Sequence, residues 1–153
     1  MTQLTHFDEA GAVRMVDVSE KEQTLRTARA HAFVKMGPAV IEELPNNPKG
    51  NPLEIARVAG VMGAKRTAGL IPLCHPIVLT HVDVEVTPEE GGIRILSSAT
   101  TKAQTGVEME AMMAASIAAL TVYDMTKALD KGIEITELYL LEKTGGKSGD
   151  YHR

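Results

Sequence analysis

The chain has no tryptophan, three tyrosines, two phenylalanines and one cysteine in 153 residues. So few aromatics, with a formal net charge of −4 and a pI near 5.7, exclude a nucleic-acid binder, which needs a basic face and stacking platforms. Cys74 alone can form neither an internal disulfide nor a cysteine zinc site, and the five histidines show no paired metal spacing. No hydrophobic run reaches membrane-spanning length, and Met1 to Glu9 carries neither a basic region nor an apolar signal core. The expectation is a cytoplasmic protein with no metal and no membrane. Charged residues make up 24% and hydrophobic ones 44%, so one domain over residues 1–153 can bury a core, with 1–15 and 145–153 as flexible ends.

What is there is organised around one segment, Gly106 to Asp130. Thr105 is placed to cap a helix, Glu108 follows as in a capping box, and Gly132 stands where a glycine stops one. From Ala111 to Leu120 only Ser116 is polar, so the helix needs cover on more than one side: a sheet on one, a partner on another. Asp124 and Lys127 share a face and follow the apolar run, which would hold them near the interior; the ordinary alternative is a surface ion pair. Glu108 and Glu110 point about 200° apart on a helix, so they would not share a proton, and at least one of them is the capping residue.

The rest falls into alternating elements. Val13 to Val18 reads as a short strand in a loosely held arm. Residues 25–36 alternate as a half-buried strand, Gly37-Pro38 breaks it, and Ala39 to Leu44 gives one or two helical turns before a loop at Pro45 to Gly50. Asn51 caps a second helix, with Pro52 at its first position, running to about Thr67 and ending at Gly69. Pro72 and Pro76 stiffen the segment Ile71 to Pro76. Leu79–Thr87 and Ile93–Thr101 form a hairpin across a loop at Pro88 to Gly92, and Ile133–Lys143 is a last strand with a bulge or a changed face. Strand, helix, strand, strand, helix, strand predicts an α+β fold. Its simplest form is a four-stranded antiparallel sheet with the helices on one face, the ferredoxin-like arrangement.

Chemistry-bearing residues are fewer. Lys49, Arg57, Lys65, Arg66 and Lys127 are the candidate cations for an anion; Lys49 and Lys65 bracket the second helix and meet only if a loop folds back or a neighbouring subunit supplies one. Gly145-Gly146-Lys147-Ser148 has part of a phosphate-loop pattern, but Leu141 stands where the first glycine is required and no helix follows. It is either a solvated tail or a segment whose Lys147 closes over an anion. Cys74 and His75 are consecutive in an extended segment and point apart, so they form no nucleophilic dyad. Cys74 reads as a small buried apolar residue and His75 as a proton carrier or ligand contact.

Five motifs in one order carry a resemblance: Ala64-Lys-Arg-Thr67, Leu70-Ile-Pro-Leu-Cys-His-Pro76, Gly106-Val-Glu-Met-Glu-Ala111, Leu120-Thr-Val-Tyr-Asp-Met-Thr-Lys-Ala128 and Lys143-Thr-Gly-Gly-Lys-Ser-Gly-Asp150. Over Val16 to Asp150 the chain resembles the molybdenum cofactor biosynthesis protein C family. The resemblance implies conversion of 3′,8-cyclo-7,8-dihydro-GTP to cyclic pyranopterin monophosphate with release of diphosphate and no redox cofactor. It also implies a hexamer, a trimer of dimers, with the site at the dimer interface. Residue by residue, Asp124 and Lys127 would be the acid/base centre. Leu73, Cys74, His75, Met109 and Glu110 would contact substrate, with Lys49, Lys65 and Glu108 assisting and Lys147 on the closing tail. The alternative is a non-catalytic ligand-binding or regulatory domain on the same fold.

A partly buried Lys127 would have its pKa lowered enough to exchange protons, and Asp124 beside it would stay ionised.

Overall fold

The computed structural model describes residues 5–153; the first four residues of the predicted arm lie outside the described ones. The elements are β1 (Thr24–Lys35), α1 (Pro38–Glu43), a 3-10 turn (Leu44–Asn46), α2 (Pro52–Lys65), α3 (Thr67–Leu70), β2 (Leu79–Glu89), β3 (Gly92–Ala103), α4 (Glu108–Thr126), β4 (Glu134–Thr144) and β5 (Tyr151–His152). They make an α+β structure with one sheet in the order β2-β3-β1-β4-β5, antiparallel at every pairing.

The sheet therefore has five strands rather than four. Gly145, Gly146 and Gly149 take positive φ, the left-handed region that suits glycine, and reverse the chain after β4. Gly145 N–H donates to Asp150 Oδ1 and Arg153 N–H to Leu141 O, so the tail returns along β4 as β5. The Arg153 guanidinium lies 4.2 Å from the Tyr139 ring centre, and His31 stacks on that ring at 4.7 Å.

β1 works as a central strand because its alanines are the core face. Ala28, Ala30, Ala32 and Val34 are fully buried, and so are Ala111, Ala114, Ala115, Ala118, Ala119 and Val122 of α4. Small residues on both sides let the α4 backbone approach the sheet, and Ser97 Oγ of β3 donates to Ala111 O at 2.6 Å. α2 covers a second side of α4. A methyl group added at Gly63 would sit 2.7 Å from Ile117, and one at Gly60 2.9 Å from Ala114 O, so glycine is needed at both for this contact. The second cover expected from a partner is thus partly internal, and Met109, Met113, Ser116 and Leu120 remain as a stripe outside the fully buried core.

Several boundaries move. No strand forms at Val13 to Val18; Val13 makes a single bridge to Phe7. α4 has no side-chain cap: its N-cap is Val107 rather than Thr105, and Glu108, at the first helical position, turns to Lys143. It ends at Thr126, before Gly132, where Lys127 is the C-cap and the Leu129 N–H donates back to Thr126 O in a tightened turn. α2 is capped by Asn51 as expected, its side chain accepting from the N–H groups of Leu53 and Glu54, but it stops at Lys65. Thr67 Oγ1 then donates to Gly63 O and Ala64 O and starts α3, which contains Gly69. The β2–β3 connection is only Glu90-Gly91: Pro88 stays in the strand, which its position in the edge strand permits. β4 carries the expected irregularity, with register shifts and Glu137 at φ 55°. No described helix is long and apolar enough to cross a membrane.

Candidate active site

The first turn of α4 and the proline-stiffened segment before β2 meet at a cavity of about 430 Å³. Leu73, Cys74, His75, Met109 and Glu110 all line it, so five of the expected substrate contacts converge in one chain. Glu110 is 5% exposed, and its carboxyl is pushed up to about 7, first by burial, with the neighbouring Glu108 charge adding to the shift. At neutral pH it can therefore hold or give up a proton, which neither free glutamate nor a capping glutamate would do. Burial, and then the Glu110 charge, push the Cys74 thiol up as well. Cys74 is half-buried rather than buried, but a raised thiol is a poor nucleophile. Cys74→Ser and Cys74→Ala should keep most of the turnover; a covalent adduct trapped on Cys74 would overturn this.

The pH dependence of stability gives a second check on Glu110. A carboxyl whose folded pKa lies above its ordinary 4.5 is favoured neutral in the fold, so the native state holds a proton that the unfolded chain has lost. Its contribution falls as pH rises from about 4.5 through about 7, by on the order of 3 kcal/mol at 1.36 kcal/mol per pKa unit. Glu110→Gln should be near-neutral at pH 4 and stabilising at pH 8. Equal effects at both pH values in denaturant melts would contradict the shift.

A larger cavity of about 760 Å³ adjoins the first, with Lys21 and Thr105 lining both. Its walls carry Lys21, Arg26, Lys143 and Lys147. Glu108 is here, held by Lys143 Nζ at 2.9 Å, and Lys143 also reaches Ser148 Oγ at 3.2 Å. Arg26 is fixed by donating to Ala103 O at 3.2 Å, and the Gly146 backbone lies against its guanidinium, where a side chain would collide. Glu20, Glu22 and Glu108 line the same hollow, so its four cations leave a small local positive excess in a protein that is acidic overall, with Lys143 already paired to Glu108. The sequence pointed to Lys147 of this set. Lys21, Arg26 and Lys143 were missed, although Lys143 opens the last motif and only strand pairing shows that it and Arg26 face one cavity.

The remaining residues lie elsewhere. Asp124 and its C-cap neighbour Lys127 sit at the far end of α4, Asp124 fourteen positions from Glu110 and about 21 Å along a single unbroken helix. Lys127 Nζ donates to Asp124 Oδ1 at 2.7 Å. Both are exposed, at 50% and 61% of their side chains, because they stand on the outward side of the last turn rather than near the interior. Lys127 is accordingly pushed up by Asp124, not lowered. Asp124 is held below the usual carboxylate range by Lys127 and, further off, Lys49. Lys49 Nζ also donates to Asp124 O at 3.3 Å, and Asn47 Nδ2 to Met125 O at 2.6 Å, anchoring the loop before α2 to this end. Lys65, at the other end of α2, lines a shallow hollow with His81 and Val82. Arg57 pairs with Glu54 on the surface. Within one chain the anion cradle and buried carboxyl are therefore at one end of α4, and the ionised pair with Lys49 at the other.

A hollow lined by four cations and three glutamates thus adjoins a buried carboxyl on an α+β scaffold. The MoaC family model matches residues 15–146, and the chain belongs to that family. It is 57% identical over 152 residues to a protein of Nostoc sp., covering 97% of this chain and 90% of the relative. It is 55% identical over 152 residues to one of Streptomyces avermitilis, covering 98% and 89%, and 50% identical over 158 residues to one of Staphylococcus carnosus, covering 100% and 98%. All three relatives bear the name cyclic pyranopterin monophosphate synthase.

Proposed function

We propose that the chain is a cyclic pyranopterin monophosphate synthase. It converts 3′,8-cyclo-7,8-dihydro-GTP to cyclic pyranopterin monophosphate and diphosphate by general acid/base catalysis, an early step of molybdenum cofactor biosynthesis. The observation that carries the reading is the pair of adjoining cavities. Lys21, Arg26, Lys143 and Lys147 suit a triphosphate, and Glu110 with His75 suits a heterocycle whose rearrangement moves protons. Purified protein given the cyclised GTP compound should release diphosphate together with the pyranopterin product. Tight binding without diphosphate would identify a ligand-binding or regulatory domain instead.

The strand order β2-β3-β1-β4, with α2 and α4 on one face, supports reading the subunit as ferredoxin-like, extended by β5. The chain forms one domain, works in the cytoplasm, and assembles as a hexamer, a trimer of dimers. Met109, Met113, Ser116 and Leu120 form a stripe at spacings of four, three and four, leading from the Glu110 end of α4 toward the Asp124 end. A two-fold contact along this stripe would cover it and set Asp124, Lys127 and Lys49 of one protomer beside Glu110 and His75 of the other. Closure would also strip water from Lys127, opposing the pull of Asp124 and bringing the lysine toward proton exchange.

The triphosphate is then held by Lys143 and Lys147 of one protomer with Lys49 and Lys65 as further contacts. Lys49→Ala, Lys65→Ala and Lys147→Ala should each weaken binding more at about 20 mM salt than at about 500 mM, because exposed charge attraction is screened. A loss independent of salt in titrations would assign that lysine to packing.

A further inference from the structure

Residues 5–18 lie as a strap over the smaller cavity. Asp8 Oδ1 accepts the N–H groups of Ala10 at 3.0 Å and Ala12 at 2.8 Å, Gly11 N–H donates to Asp8 O, and Arg14 N–H donates to His6 O at 2.9 Å. Phe7 bridges Val13, so the hairpin is closed at its base, with His6 on one arm and Val16 just beyond the other. Thr5, His6, Val16 and Val18 all line the cavity that holds Cys74 and Glu110.

The strap is engaged with the site through His75, whose Nε2 donates to Val16 O at 2.5 Å. A carbonyl oxygen only accepts, so this nitrogen carries the proton and is occupied. His6 is the second imidazole of the same cavity, and neither of its nitrogens makes a hydrogen bond to a described residue. Its Nδ1 is buried without a partner among the described residues. Buried polar atoms are paired in nearly all folded proteins, since an unpaired one has lost its water without replacement.

We propose that residues 5–18 are the cover of this cavity and that His6 is a further substrate-contacting residue, its imidazole hydrogen-bonding the polar edge of a purine-derived heterocycle. The proposal rests on the synthase reading, extends it to a residue outside the matched family segment, and gives the arm a function.

Two measurements separate the claims: kcat and KM with the cyclised GTP compound, and equilibrium binding of GTP, which has the triphosphate and purine without the reaction. His6→Ala should lower kcat/KM about tenfold, mainly through KM, and weaken GTP binding in parallel with an unchanged melting temperature. His6→Asn, which restores one donor and one acceptor, should recover part of both. Asp8→Ala, which loosens the hairpin from outside the cavity, should reproduce part of the KM effect. His6→Ala with wild-type kcat/KM and GTP affinity overturns the proposal, as does a loss tied to a lower melting temperature that His6→Asn does not recover. Wild-type protein that binds GTP without turning over the cyclised compound defeats the synthase reading, and the GTP affinities then decide His6 by themselves. Absence of both turnover and GTP binding refutes the two together.

Discussion

Alanine at Asp124 or at Lys127 is expected to lower turnover by on the order of 10²-fold or more, with substrate affinity changing far less and the melting temperature hardly at all. The two halves of this expectation have separate grounds. Each side chain is half exposed or more, and their shared interaction is an ion pair in water at the end of α4, so removing either leaves no cavity and no buried orphan. A purely structural surface pair would then cost nothing in either assay. The catalytic half rests on the proposed two-fold contact, which would bring Lys127, oriented by its 2.7 Å bond to the Asp124 carboxylate, to the bound substrate. A proton donor fixed in this way acts on bound substrate rather than on binding itself, so kcat carries the loss. Rate and affinity falling in parallel, or a variant that unfolds, would remove the pair from the chemistry.

Glu110→Ala and Asp124→Ala proteins, each inactive alone, should regain about a quarter of wild-type activity after being unfolded together and reassembled. The expectation comes from a length. About 21 Å of helix separates the two residues, too far for both to flank the reacting ring of one small substrate within one chain. If paired α4 helices bring Glu110 of one protomer to Asp124 of the other, a mixed dimer has one site with both substitutions and one with neither. Random pairing makes half the dimers mixed, each with one intact site of two. Mixed dimers present without recovered activity would confine the site to one chain or leave one end of α4 structural. A tagged version of one variant, pulled down with the other, establishes that mixing took place.

The elements were legible because their signals are local. Alternation in β1, the Asn51-Pro52 start of α2 and the apolar run of α4 each fix a backbone period without reference to anything distant. The ends were less so, because they depend on what a side chain finds elsewhere. Glu108 satisfies every sequence criterion for a capping box, yet Lys143, thirty-five positions later, offers it a charge that the helix start cannot match. The glycine-rich tail reads as loose until Asp150 and Leu141 supply acceptors for its N–H groups.

The same division runs through the site. Sequence by itself nominated Cys74-His75, Glu108 to Glu110 and Asp124 to Lys127 through the resemblance their motifs carry, and it set the roughly 21 Å between Glu110 and Asp124 of α4, because helical rise is a constant of the backbone. Only the tertiary structure decided the environment of each. Burial raises Glu110, Asp124 keeps Lys127 charged, Lys21, Arg26 and Lys143 join Lys147 around one hollow, and the strap ties up His75 while His6 Nδ1 has no partner among the described residues. Desolvation and charge proximity are sums over neighbours that the fold assembles from distant positions, and no local pattern encodes them.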